Sequence, residues 1–430
     1  MSVPAETADL LAYIEASPTP WHCVAETAAR LEAAGYTSVD ETAKDWPGDA
    51  GAKLYVTRGD GSIIAWRMGS APPADAGFRV IGAHTDSPNL RVKPKPDRHN
   101  VGYHTLGLET YGGVLLATWP DRDLGLAGRV TVTDGDAMRT ELIRVDRPIC
   151  RIPNLSIHLT RGVNKDGLIL NKQTHLPAVW AIGDTETPGA FAAWLAGEAE
   201  VATDDVLGWD LCLYDVQPPA FGGRDDAFIF APRLDNQHSC HSGLSALLAS
   251  DEDDAPKATS VLALFDHEEI GSRSSRGAQG SFLRDVLTRV AGGTASDMAR
   301  ATASSFLVSA DMSHGVHPNY ADKHDPQHRP MMNGGPVLKT HNEWRYATDV
   351  ESSATWRAIC RDAGVPCQEF VNRTDLACGS TIGPIVASSL GMKGVDVGCA
   401  QWSMHSIRET GGAEDPPLMI AAMRRFFGWG

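Results

Sequence analysis

Histidines and carboxylates recur at one kind of place in this chain: directly after short apolar runs with the composition of buried strands. FRVIGAHTD ends on His84 and Asp86, FIFAPRLDNQ carries Asp235, SVLALFDHEE carries Asp266 through Glu269, and SFLVSADMSH carries Asp311. His405 follows the run that ends near Gly398. In an open α/β sheet the carboxyl ends of the strands line one crevice, so side chains distant in sequence can meet there. Two imidazoles with several carboxylates make a mixed nitrogen and oxygen donor set suited to zinc, or to manganese or cobalt. Singly, each residue has a plainer explanation. A histidine after a strand is usually a structural hydrogen-bonder, an aspartate before a helix is usually a cap, and Glu268-Glu269 can be a solvated pair. The glutamates argue hardest for chemistry. They follow VLALF, which reads as buried on both faces, and adjacent carboxylates there repel unless a cation offsets them. One can then hold the ion while its neighbour moves protons.

The elements that must position these residues alternate. Helical patterns at 6–16 and 21–34 open the chain, with Gly35 as a stop, and a hairpin turns at Asp60-Gly61. After Phe228, strand–loop–helix units follow one another, which predicts a mixed α/β sheet sandwiched by helices. Between residues 91 and 226 the texture is β-rich, and GAFAAWLAGEAE is its one strong helical pattern. We therefore expect a discontinuous α/β domain, 1–90 with 227–430, interrupted by a β-rich insertion at 91–226.

Composition excludes whole classes of function. Thirty-eight basic against 54 acidic side chains give a net charge of −16 over 430 residues, with no basic block, which disfavours nucleic acid and anionic membranes as partners. The longest uncharged stretch, 376–392, is broken by Gly and Pro and reads as a buried helix with its entry loop rather than a membrane span. The N-terminal residues lack the pattern of a signal peptide, and eight cysteines without a C-x-x-C pair indicate neither a disulfide framework nor a cysteine zinc site, so the cytoplasm is the expected compartment. GSRSSRGAQG lacks the Gly-Lys-Ser/Thr ending of a phosphate-binding loop. His238 and His241 mimic a metal pair but read as packing residues or as supports behind a metal ligand, and His267 as structural or as such a support.

IGAHTDSP, RLDNQ, DHEEIGS, SADMSHGVHPNY and MHSIRE, in this order, resemble the signature segments of the aspartyl aminopeptidase family, two-zinc metallopeptidases of family eighteen. The resemblance runs from SPTPWH at residue 17 to the end. It implies a zinc aminopeptidase-like catalytic domain with an inserted dimerisation domain, and two divalent metal ions per subunit, most simply zinc. His84, Asp235 and Asp311 would hold one ion, and Asp235, Glu269 and His405 the other. Asp86 would accept the second ring N–H of His84, and Glu268 would be the general base that deprotonates the attacking water. The implied substrates are peptides with a free N-terminal Asp or Glu. GPVLK would place Lys339 against the substrate's acidic side chain, and RYAT would place Tyr346 as an oxyanion donor. IPNLSIHL would carry His158 into the active site of a neighbouring subunit of a homododecamer. The segment from His341 to Trp344 departs from the family's usual Asn and Gln, which leaves open a related two-metal exopeptidase or amidohydrolase preferring neutral residues. A metal-dependent scaffold without catalysis is the alternative of a different class, and the presence of Glu268 argues against it.

Overall fold

Four apolar runs, Thr259–Phe265, Phe78–His84, Phe306–Ala310 and Lys393–Gly398, lie side by side and parallel at the centre of a nine-stranded sheet. The computed structural model describes residues 3–183, 188–252 and 255–429. By compactness these fall into two units, one of 1–86, 219–404 and 409–430, the other of 87–218 and 405–408.

In the first unit the hairpin of Lys53–Arg58 and Ser62–Arg67 joins the sheet antiparallel beside Thr259–Phe265. Val337–Thr340 joins antiparallel beside Lys393–Gly398, and Gln368–Val371 closes that edge. The sheet is thus mixed, as the sequence predicts. Successive strand residues point to opposite faces. Ile81, Ala83, Leu262, Leu264 and Val308 therefore enter one core with the helices Pro20–Ala33, Leu234–Ala249, Val350–Asp362 and Asp415–Phe427. Phe78, Val80, Val261, Ala263 and Leu307 enter the other with Phe282–Val290 and Ile382–Leu390. Each fully buried Val, Leu, Ile or Phe among them contributes roughly 1.5–3 kcal/mol relative to exposure. Gly243 lets one helix settle on the sheet, since a Cβ there would stand 2.7 Å from Leu262 Cδ1.

Register decides what this sheet delivers. His84 pairs with Phe265, and Ser309 with Gly82, so His84, the turn after Phe265 and the residue after Ala310 share one end of the sheet.

The second unit is built on a six-stranded antiparallel sheet in the order Ala137–Cys150, Leu124–Asp134, Val206–Asp215, Asn89–Asn100, Tyr103–Tyr111, Ala178–Ile182. An isolated bridge from Arg151 to Val179 links its two edges. Its core gathers Leu90, Leu106, Leu126, Val130, Leu211 and Leu213, with Phe191 and Leu195 from the helix Ala190–Glu198. Residues 152–177 run mostly as loops that leave Leu155, Ile157, Leu159 and Ile169 exposed. Among the described residues no helix is long and apolar enough to cross a membrane.

Candidate metal centre

His84 is the last residue of its strand and is 2 % exposed. Its Nδ1 lies 2.9 Å from the main-chain oxygen of Asp86, so Nδ1–H donates there and Nε2 is the ring nitrogen that faces the carboxylates. Around Nε2 stand Asp235 Oδ1 at 3.3 Å and Asp311 Oδ1 at 3.7 Å. Among the described residues, the group whose ligand atoms all lie within 4.8 Å of one another is His84, Asp235 and Glu269. Burial alone would push the His84 pKa down, but contacts with Asp235, Asp311 and Asp86 outweigh it and hold that pKa well above the usual histidine range. The cage favours positive charge at its centre.

Each candidate ligand is fixed by its backbone. Asp235 opens the helix Leu234–Ala249 with non-helical dihedrals after a left-handed Arg233, through a cis Asp235–Asn236 peptide, and its N–H donates to Glu409 Oε2 at 3.0 Å. Asp311 follows its strand directly, and its N–H donates to the Val397 carbonyl at 2.9 Å. Only glycine fits beside it: a Cβ on Gly398 would stand 1.8 Å from the Asp311 carbonyl oxygen. His267, at φ 66°, turns the chain so that Glu268 and Glu269 follow in a short 3₁₀ turn.

Asp86 meets the His84 ring through its main-chain oxygen, with its carboxylate Oδ1 at ion-pair distance, 3.6 Å, from the same Nδ1. The carboxylate also accepts the N–H groups of Glu268 at 3.0 Å and Glu269 at 3.1 Å, so one buried side chain orients both glutamates. Burial raises the Glu268 pKa well above the usual carboxylate range; Asp311, Glu269 and Asp86 add to this against an opposing His84.

The other sequence candidates fall in several places. Lys339 is buried, its Nζ donating to the carbonyls of Asp311 at 2.8 Å and Met312 at 3.1 Å. Tyr346 is buried with its hydroxyl 3.5 Å from Cys378 Sγ, and burial raises its pKa, which keeps the phenol a donor. His405 belongs to the second unit, where its Nδ1 lies 3.1 Å from the Gly113 carbonyl; like His84 it is pinned through Nδ1 and leads with Nε2. His158 is exposed in a turn of that same unit. His241 bonds Asp9 at 2.8 Å, and burial pushes the His238 pKa down to about 3. His267 bonds Ser274 Oγ at 2.7 Å, a structural contact. Sequence reasoning missed Glu409, although it lies inside the MHSIRE segment that carried the resemblance.

The family model for the aminopeptidase I zinc metalloproteases, M18, matches residues 13–427. The chain belongs to the M18 aminopeptidase family. A probable M18 family aminopeptidase 2 from Streptomyces coelicolor is 48% identical over 425 residues, 98% of this chain and 97% of that one. Among solved structures, the chain in a complex of Ape4 with Nbr1 is 35% identical with a TM-score of 0.95, covering 100% of this chain and 88% of that one. The mApe1 dodecamer of S. cerevisiae is 29% identical with a TM-score of 0.86, covering 98% and 96%. This M18 protein is thus a metal-dependent aminopeptidase, a hydrolase of the zinc metalloprotease class. Its donor set fits zinc: an imidazole nitrogen and carboxylate oxygens converge, largely buried, without thiols among them.

Proposed function

We propose that this M18 enzyme removes the N-terminal residue, preferentially Asp or Glu, from peptides by a two-metal mechanism with Glu268 as general base. The observation that carries the reading is the convergence of His84, Asp235, Asp311 and Glu269 beside a glutamate whose backbone is held by Asp86. His84, Asp235 and Asp311 would hold one ion and Asp235 with Glu269 the other. Bound divalent ions polarise the scissile carbonyl and lower the pKa of water. Glu268 takes a proton from the attacking water as the new C–O bond forms, and gives it to the departing amine nitrogen as the C–N bond breaks. Tyr346 donates its phenolic hydrogen to the carbonyl oxygen as negative charge gathers there.

Self-association is part of the reading. The structural relative is a dodecamer, and residues 152–177 expose a run of apolar side chains that a partner subunit would cover, with His158 among them. The eight cysteines are free, which suits a reducing cytoplasm.

Chelation with metal add-back, on a panel of aminoacyl substrates, tests the proposal. We expect metal-free protein to be inactive, zinc, manganese or cobalt to restore turnover, and Asp and Glu substrates to lead Leu. Glu268→Gln should take up metal normally yet lose about 10²–10⁴ in kcat. Full activity without metal, or near-normal rates from Glu268→Gln, would refute the mechanism.

A further inference from the structure

Lys339 lies within the strand Val337–Thr340 and is 2 % exposed. A buried lysine is costly unless its charge is paired and its hydrogens are used. Here Nζ donates to the main-chain oxygens of Asp311 and Met312 at 2.8 and 3.1 Å, and Asp311 Oδ2 stands at ion-pair distance, 3.5 Å. Three N–H bonds thus face three oxygens of one dipeptide. The Tyr346 ring covers the ammonium, its centroid 5.2 Å away.

Directly across the ladder from Lys339 is Asp396, completely buried. Its carboxylate accepts from Ser309 Oγ at 2.7 Å, Thr381 Oγ1 at 2.5 Å and the Ala347 N–H at 2.6 Å. Ser309 is on the strand that delivers Asp311, and Ala347 follows Tyr346. One carboxylate therefore joins the strand behind a metal ligand to the segment that covers the lysine.

We propose that Lys339 and Asp396 form a buried tether that sets Asp311 and Tyr346, with Lys339 a positioning residue for the metal ligand rather than a direct contact of the substrate's acidic side chain. This rests on the metal-centre reading above and assigns two side chains to it. The physical reason is geometric. A carboxylate ligand left to rotate loses affinity, and partners that orient metal ligands are typically worth 10–100-fold. Lys339 holds both the carboxylate and the peptide that carries it.

The test is zinc titration against a competing chelator, on wild type, Lys339→Met and Asp396→Asn, each checked by circular dichroism. We expect Lys339→Met to bind zinc about tenfold or more weakly at one position. Its kcat should fall by a similar factor on N-terminal Asp and N-terminal Leu substrates. Asp396→Asn should show a smaller loss in the same direction, and it decides the matter if Lys339→Met does not fold. The inference is overturned if the folded variants bind zinc as wild type does and Lys339→Met loses activity on Asp substrates alone, through KM. Wild type that takes up no zinc would instead sink the metal-centre reading itself.

Discussion

Asp86 shows how much one side chain can carry at the residue scale. Its carboxylate bonds the N–H groups of Glu268 and Glu269, while its carbonyl fixes the His84 ring. Replacing it with alanine removes both carboxylate bonds but leaves the main-chain one. We therefore expect Asp86→Ala to keep His84 oriented yet free the glutamate turn, lowering kcat about 10–100-fold. Zinc affinity should fall through Glu269. Steady-state kinetics beside chelator competition checks this, and normal values in both would show the turn to be rigid without Asp86. The sequence made Asp86 a candidate by its spacing from His84. It did not reveal which atoms meet, because the glutamates it holds lie 182 and 183 residues away.

At the scale of elements, the helix Asp415–Phe427 is stapled to the loop before Val337–Thr340. The Asp415 carboxylate accepts from Asn333 N at 2.8 Å and Gly335 N at 2.9 Å. Burial raises its pKa to about 7, from an ordinary 3.8, despite those two bonds. The folded protein then holds this proton more tightly than the unfolded chain, so ionisation penalises folding. Stability drawn from this group is greatest below pH 4, falls as pH rises toward 7, and by the linkage relation loses on the order of 4 kcal/mol across that window. Asp415→Asn cannot ionise and should gain thermal stability relative to wild type as pH rises from 4 to 8. Thermal unfolding of both proteins over that range measures it, and a constant difference in Tm would show that Asp415 does not titrate there. The strands and helices of this unit were legible from alternation and breakers. The staple was not, since neither Asp415 nor Asn333 carries a local sign of the other.

For the whole molecule, the charge of −16 bears on solubility more than on substrate choice. Five of its acids, Asp86, Asp235, Glu268, Glu269 and Asp311, lie in the proposed metal centre. Screening confines the repulsion of the remainder to about 8 Å at physiological salt, so an acidic peptide must be drawn by local cations. The proposed self-association would depend on apolar surface instead. Leu159 is 74 % exposed and Ile169 82 %, in the stretch of the second unit that the proposed self-association would cover. Ile169→Asp would bury a charge in such a contact, so we expect light scattering to report a smaller particle than wild type at equal concentration. An unchanged mass would remove this stretch from the interface.

The sequence by itself determined the donor types, their placement after apolar strands, the mixed α/β sheet and the membership of the family. Those signals are local: a run of buried strand residues, a turn, and a polar residue at the end. Domain limits expected at 90 and 226 compare with units that divide after Asp86 and Pro218, and the structure sets residues 405–408, His405 included, with the second unit. Only tertiary structure decided that Asp86 orients the glutamates, that Glu409 holds Asp235, and that Lys339 spends its hydrogens on Asp311 and Met312. Each of those contacts joins residues on different elements, and strand register, not spacing along the chain, brings them into reach.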